Sequence, residues 1–375
     1  MARIGIDCRF FSLNNGIGRY IGEITLRLVQ NQNHDFVFFV NENNKTLFQE
    51  FIGPGKYELI VVNAKHYSIA EQLFFPTKIY KAKLDLMHFT NFNRPLFYFK
   101  KTIVTIHDLT LHFYPGNKLN KPWHRIFYHL VFYWSLLQAK QILTVSETTK
   151  QDINHHYPQF THKTTTIHLG ITSEFLNQNT TPNYKKNFLL YAGNWRIHKN
   201  LTNLLKAFQI LKNKFNYKGK LLITGQYQPG HTDIQKLSSE LKLTNEIVLL
   251  GTPTVNELKL FYEQAEAYII PSFYEGFGLP ALEAMQAKTV PIVSNQGSLP
   301  EICGDAAIYF NPHNPNDIAE KIHNTITNPL LTKELISKGQ KHLQKFSYDL
   351  TAKKTLNIYE QYVQWLPKPI QQIST

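Results

Sequence analysis

Cysteine, acidic charge and long apolar runs are all scarce in this chain. Among 375 residues there are two cysteines, Cys8 and Cys303. Two thiols so far apart imply no disulfide framework, and a reducing cytoplasm is the expected setting. No uninterrupted apolar run approaches the roughly 20 residues that cross a bilayer. The first strand, Arg3-Ile-Gly-Ile-Asp7, begins without a leader of the secretory kind. A soluble or peripheral protein is expected, the latter at the inner face of a membrane. Asp and Glu number 27 against 40 Lys and Arg, for a net charge of +13. That excess suits an anionic substrate, an anionic lipid surface or nucleic acid. No RNA-binding aromatic motif accompanies it, so nucleic acid is not an expected partner.

A hydrophobic content of 43% and this length suffice for two α/β domains with sizeable cores. One pattern recurs along the chain: a short apolar strand, a glycine turn, then a helix. It occurs at Ile4–Tyr20, at Phe188–Leu211 and at Ala267–Met285. Such units build parallel sheets, and the turns at strand carboxyl ends face the ligand crevice. The domain boundary is expected at residues 172/173, where the polar stretch Ser173–Lys186 reads as a connector. Residues 1–172 form the expected first domain and 173–350 the second. Residues 351–375 form a C-terminal helix and tail.

The Ala267–Met285 unit carries the most chemistry. Ala267-Tyr-Ile-Ile270 is a buried strand that Pro271 stops. A loop with Glu275, Gly276, Phe277 and Gly278 follows. A helix starts near Pro280, with Glu283 expected in its first turn. A glycine loop feeding a helix N-terminus suits an anionic ligand. The bland alternative is two solvated glutamates. At Phe188–Leu211, Arg196 and Lys199 stand beside the next helix start, where two cations can neutralise a diphosphate. Gly16 and Gly18 alone read as a tight turn; they lack the dinucleotide fingerprint. His107 lies at a strand's carboxyl end, and on its residues alone it satisfies loop carbonyls. Residues 120–140 mix Trp, Tyr and Phe with Lys121, Arg125 and Lys140; core packing and an interfacial helix are both open.

The spacing Glu275–Gly-Phe-Gly-Leu-Pro–Glu283 resembles the E-x7-E signature of retaining family 4 glycosyltransferases of the GT-B fold. Gly16-Ile-Gly-Arg-Tyr20, Thr105-Ile-His-Asp-Leu109 and Lys199-Asn-Leu201 are similar to that family's motifs, in its order. The resemblance implies two Rossmann-like doubly wound domains facing across a cleft, with a C-terminal helix crossing back to the first. It implies a nucleotide-sugar donor and a glycan or lipid-linked acceptor, with no metal and no other cofactor. Lys199 and Arg196 would then hold the diphosphate, with the Gly16–Gly18 loop against it. Glu275 would take the sugar hydroxyls, Glu283 the ribose, and His107 would lie beside the sugar. Gly276, Phe277, Gly278 and Leu279 would line the donor. The motif set looks most like mannosyltransferases of bacterial surface polysaccharide, so GDP-mannose is the first expected donor and a UDP-sugar the second. The chain departs from the family at Lys288, which stands where a glycine is usual; a left-handed turn there would strain a lysine. A glycoside hydrolase using both glutamates, a sugar-nucleotide epimerase and a non-enzymatic RNA- or lipid-binding protein are the rivals.

Overall fold

The computed structural model describes residues 1–13, 15–64, 68–119, 121–172 and 187–363. The expected connector at 173–186 and the tail from 364 lie outside them. Strands β1 (Ala2–Asp7), β2 (His34–Val40), β3 (Tyr57–Val61), β4 (Leu86–Phe89), β5 (Thr102–Ile106), β6 (Gln141–Thr144) and β7 (Thr164–Thr166) form the first sheet. It is ordered β3-β2-β1-β4-β5-β6-β7, and every pair is parallel. Strands β8 (Phe188–Tyr191), β9 (Lys220–Thr224), β10 (Ile247–Gly251), β11 (Ala267–Ile270), β12 (Pro291–Ser294) and β13 (Ile308–Phe310) form the second, ordered β10-β9-β8-β11-β12-β13. Both follow the doubly wound order, in which the chain reverses direction between the first and fourth strands of the sheet. That reversal leaves a crevice beyond β1 and β4 in one domain, and beyond β8 and β11 in the other.

The strands read as unbroken apolar runs because helices cover both faces of each sheet. Phe36, Phe38 and Phe39 of β2, and Ile269 and Ile270 of β11, are buried. Two clusters flank these sheets on one side each. A third runs from Ile4 and Tyr20 in the first domain to Tyr262 and Leu282 in the second. The domains therefore share apolar packing beside the cleft.

The helix Tyr348–Tyr362 leaves the second domain and docks on the first, as the family resemblance implied. The Tyr359 hydroxyl lies 2.6 Å from His88 Nδ1 on β4. The other ring nitrogen of His88 bonds Thr105 Oγ1 at 2.8 Å, and Thr105 Oγ1 lies 3.1 Å from the Tyr20 hydroxyl. All four residues are buried, so each polar atom needs its partner.

Two sequence expectations shift in detail. Gly16 and Gly18 are in the first turn of the helix Gly16–Leu28, capped by the Asn15 side chain on Gly18 N at 2.8 Å. An asparagine cap supplies the acceptor that a first turn lacks, so the glycines join the helix instead of a free turn. Glu283 lies in the second turn of the helix Leu279–Gln286, because that helix begins at Leu279 with Gly278 left-handed before it. Lys288 does adopt a left-handed backbone, at φ 57°.

Candidate functional site

Strand order brings the site together. The loops after β8 and β11 are neighbours because those strands pair directly. The first carries Lys199, at the end of a single 3-10 turn, Ile197–Lys199, before the helix Leu201–Lys214. The second carries Glu275. Lys199 Nζ donates to both Glu275 oxygens, at 2.7 and 2.9 Å, across 76 residues of chain. Ser272 Oγ donates to the same carboxylate at 2.6 Å. Burial pushes the Glu275 carboxyl up, but Lys199 and Ser272 outweigh it and hold the group below its ordinary value. Asn200 pins this junction. It takes a left-handed φ of 57°, and its amide donates to the Pro271 and Pro312 carbonyls at 2.8 Å each.

Glu283 is 5% exposed and belongs to a different set of contacts. The Arg19 guanidinium donates to one oxygen, and the Tyr262 hydroxyl donates to the other at 3.2 Å. Arg19 projects from the helix Gly16–Leu28, so this ion pair joins the two domains. A methyl group built on Gly16 would come 3.4 Å from Leu279 Cδ1, which sets that helix start against the loop after β11. Gly18 is explained locally: a side chain there would meet the Ser12 backbone at 2.2 Å.

His107 follows β5 in the first domain. Its Nε2 donates to the Thr90 carbonyl at 2.8 Å, and its ring meets Tyr20 edge-on. Burial lowers its pKa, so the ring is neutral near pH 7 and Nδ1 carries the lone pair. Its backbone carbonyl presses on the second domain, where a Cβ on Gly276 would lie 2.3 Å from that oxygen. The Gly276 carbonyl accepts from Ser146 Oγ at 2.7 Å. The Tyr274 hydroxyl donates to Asp152 at 2.7 Å and accepts from Leu109 N at 3.2 Å. The loop after β11 is thus gripped from the first domain at Tyr274 and Gly276, on either side of Glu275.

Arg196 lies apart from the Lys199–Glu275 pair. It lines an interdomain cavity of about 310 Å³ together with Tyr114, Pro115 and His198. Among the described residues its guanidinium forms no ion pair. Phe277 turns into the apolar packing, 5% exposed and edge-on to Phe346. The structure therefore brings Lys199 and Glu275 together in the second domain and seats the neighbouring Gly276 against the His107 carbonyl of the first. Arg19, Tyr262, Ser272 and Ser146 were missing from the sequence-level site. Only Arg19 carried a signal, because a helix beginning at Gly16 places it one turn from the cleft.

Residues 14–175 match the family model Glycosyltransferase Family 4, and residues 172–342 match the model Glycosyl transferases group 1. The O-antigen chain mannosyltransferase RfbU of Salmonella typhimurium is 27% identical over 247 residues, 66% of this chain and 65% of that protein. The O-antigen chain mannosyltransferase B of Escherichia coli is 28% identical over 272 residues, 70% of each. The matched stretches thus span about two thirds of those relatives. Sucrose-phosphate synthase of Thermosynechococcus elongatus superposes with a TM-score of 0.75 at 18% identity, covering 96% of this chain and 99% of that one. HepE of Anabaena, in complex with UDP and glucose, also gives 0.75 at 14% identity, with 96% and 100% covered. With both halves matched in sequence order and both sheets in the same doubly wound order, the chain belongs to glycosyltransferase family 4 and has the GT-B fold.

Proposed function

We propose that this protein transfers a hexose, mannose first, from a nucleoside-diphosphate sugar to a glycan or lipid-linked acceptor in surface polysaccharide assembly. GDP-mannose is the preferred donor and a UDP-sugar the second. The carrying observation is the Lys199–Glu275 pair at the crevice between β8 and β11. The curated relatives named above are mannosyltransferases, which supports the sugar.

The reaction is retaining and metal-independent. As the anomeric bond breaks, charge builds on the leaving diphosphate. Lys199 and the adjoining helix N-terminus stabilise that charge from fixed positions, with Arg196 added once the donor fills the neighbouring cavity. Glu275 is ionised, so it accepts hydrogen bonds from sugar hydroxyls and helps to orient the ring. Glu283 accepts from the ribose, sharing Arg19. Neutral His107 accepts at Nδ1 from a sugar hydroxyl. The acceptor hydroxyl enters on the leaving-group face, and a diphosphate oxygen takes its proton.

A hydrolase would need one carboxyl kept protonated as general acid. The depressed Glu275 argues against that role for it. The test is thermal shift with a panel of nucleotide sugars in EDTA, followed by transfer to a saccharide acceptor and NMR of the product anomer. GDP-mannose should stabilise most, and the α-linkage of the donor should persist. Rapid cleavage of a plain oligosaccharide without nucleotide would overturn the reading.

A further inference from the structure

The helix Glu147–His156 begins just after β6 and has a cap of its own, since the Ser146 hydroxyl accepts from Thr149 N at 3.1 Å. The N–H groups of Glu147 and Thr148, in the same first turn, have no partner inside the helix. Glu301 of the second domain takes both. Its Oε1 accepts from Glu147 N at 2.7 Å, and its Oε2 from Thr148 N at 3.0 Å. Each oxygen accepts once more from the first domain. The Thr148 hydroxyl donates to Oε2 at 3.2 Å, and His168 Nε2 donates to Oε1 at 2.7 Å. Four donors of one domain thus fill the acceptor positions of a carboxylate from the other. Burial pushes the Glu301 carboxyl up, but His168 and the two N–H groups outweigh it and hold the group below its ordinary value. A serine cap already satisfies the helix. The contact made by Glu301 therefore serves the join between the domains.

That join reaches the loop after β11. Glu301 lies on the short helix Leu299–Cys303, and Ser298 just before that helix holds the Glu275 backbone. Ser298 N and Oγ both donate to the Glu275 carbonyl, at 3.3 and 3.0 Å. Gly297, at φ 62°, lies so close that a Cβ there would be 2.9 Å from Glu275 N. From the other domain, Ser146 Oγ donates to the next carbonyl, that of Gly276, at 2.7 Å. Glu275 and Gly276 are therefore bracketed by two segments, one from each domain. Glu301 fastens those two segments to each other.

We propose that Glu301 is a positioning residue for sugar transfer. By holding the first turn of the helix Glu147–His156 against the segment that carries Ser298, it fixes the register in which Glu275 and His107 act together. The inference rests on the transfer reaction proposed above, and it adds a residue that touches neither donor nor acceptor. Lys199, Glu275 and Glu283 all belong to the second domain, so donor affinity depends little on this clamp. The transfer step needs His107 of the first domain in register with Glu275, so it depends on the clamp strongly.

The test is Glu301→Gln in the full chain, which keeps the size of the side chain and removes its charge. Its kcat should fall about 10–100-fold, the scale of a misplacement near 1 Å. Its affinity for GDP-mannose in calorimetry should stay at the wild-type value, and Glu301→Asp should recover part of the rate. His168→Phe removes one donor and keeps a ring beside Phe277 and Phe346, so it should move kcat the same way by less. It carries the test should the glutamine variant fail to fold. A second arm needs no substrate: hydrogen exchange in the peptide holding Glu147 and Thr148 should be about tenfold faster in Glu301→Gln. A wrong transfer reaction would show in wild-type turnover, and a wrong clamp in this exchange. Unchanged exchange, unchanged kcat, or donor affinity lost in proportion to kcat would each overturn the proposal.

Discussion

Arg19 and Glu283 form an ion pair that spans 264 residues of chain and closes one side of the interdomain cleft. The carboxylate side chain is 6% exposed and the guanidinium 21%. Burial lowers the Arg19 pKa, and Glu283 more than restores it, for a net upward shift. Removing the cation leaves a buried carboxylate with one hydroxyl partner. Arg19→Ala should therefore cost about 2 kcal/mol, at the lower side of a fully buried pair because Arg19 is partly solvated. A double-mutant cycle with Glu283→Ala should give a coupling of about 1–3 kcal/mol in denaturant unfolding. A coupling indistinguishable from zero would mean that the contact contributes nothing to domain closure.

Lys199→Ala should reduce kcat by about 10²–10³-fold, the scale of losing a preorganised charge at the leaving group. Circular dichroism should be unchanged. Lys199→Arg should recover part of the rate, because the charge remains while its position changes. Wild-type turnover in the alanine variant would remove Lys199 from the diphosphate site.

Gly276→Ala tests the grip of one domain on the other. The added methyl would collide with the His107 carbonyl at 2.3 Å and the Asp108 Cβ at 2.7 Å. Neither can yield unless the loop or the whole domain moves. Small-angle scattering should show a larger radius of gyration, and kcat should fall with the second domain still folded. Equal scattering and equal activity would mean that the contact is absent in solution.

Acid should destabilise the protein through two buried imidazoles from about pH 6.5 downward, with Glu275 adding to the loss at the acid end. His88 and His198 are buried, and burial lowers each pKa to about 3; Lys199 adds to the effect at His198. Below the unfolded value of about 6.5, the unfolded chain binds protons that the native rings refuse. Stability should then fall by about 1.4 kcal/mol per pH unit for each ring as pH drops from there. Glu275 acts lower. Its folded pKa is depressed, so its contribution is complete above the unfolded value of about 4.3 and is lost as pH falls through the folded one. Denaturant midpoints from about pH 7.5 to 4.5 would read the histidine slope by itself, and lower points would add Glu275. His198→Gln should flatten the histidine slope alone, and an unchanged slope in that variant would show that His198 is protonated in the fold.

The repeating unit of strand, glycine turn and helix was legible along the chain because a parallel sheet buries its strands on both faces. Continuous apolar runs such as Ala267–Ile270 then mark themselves. The left-handed turn at Lys288 did not mark itself, because a lysine stands where the family resemblance led one to expect a glycine; the backbone takes that conformation all the same, at φ 57°. Ser146 caps the helix Glu147–His156, its hydroxyl accepting from Thr149 N at 3.1 Å. Its second role, donating to the Gly276 carbonyl from the other domain, left no trace in its neighbours.

The sequence by itself determined the units, their order and the residue types at each strand's carboxyl end, because those depend on hydrophobic period and on local backbone limits. Only the tertiary structure decided who meets whom. Lys199 reaches Glu275 because β8 pairs with β11, although 76 residues of chain separate them. Arg19 reaches Glu283 because the two domains pack along one shared apolar cluster. Arg196, only three residues from Lys199, instead faces a separate cavity because a single 3-10 turn rotates it away. Spacing along a chain does not encode such contacts; strand order and domain packing do.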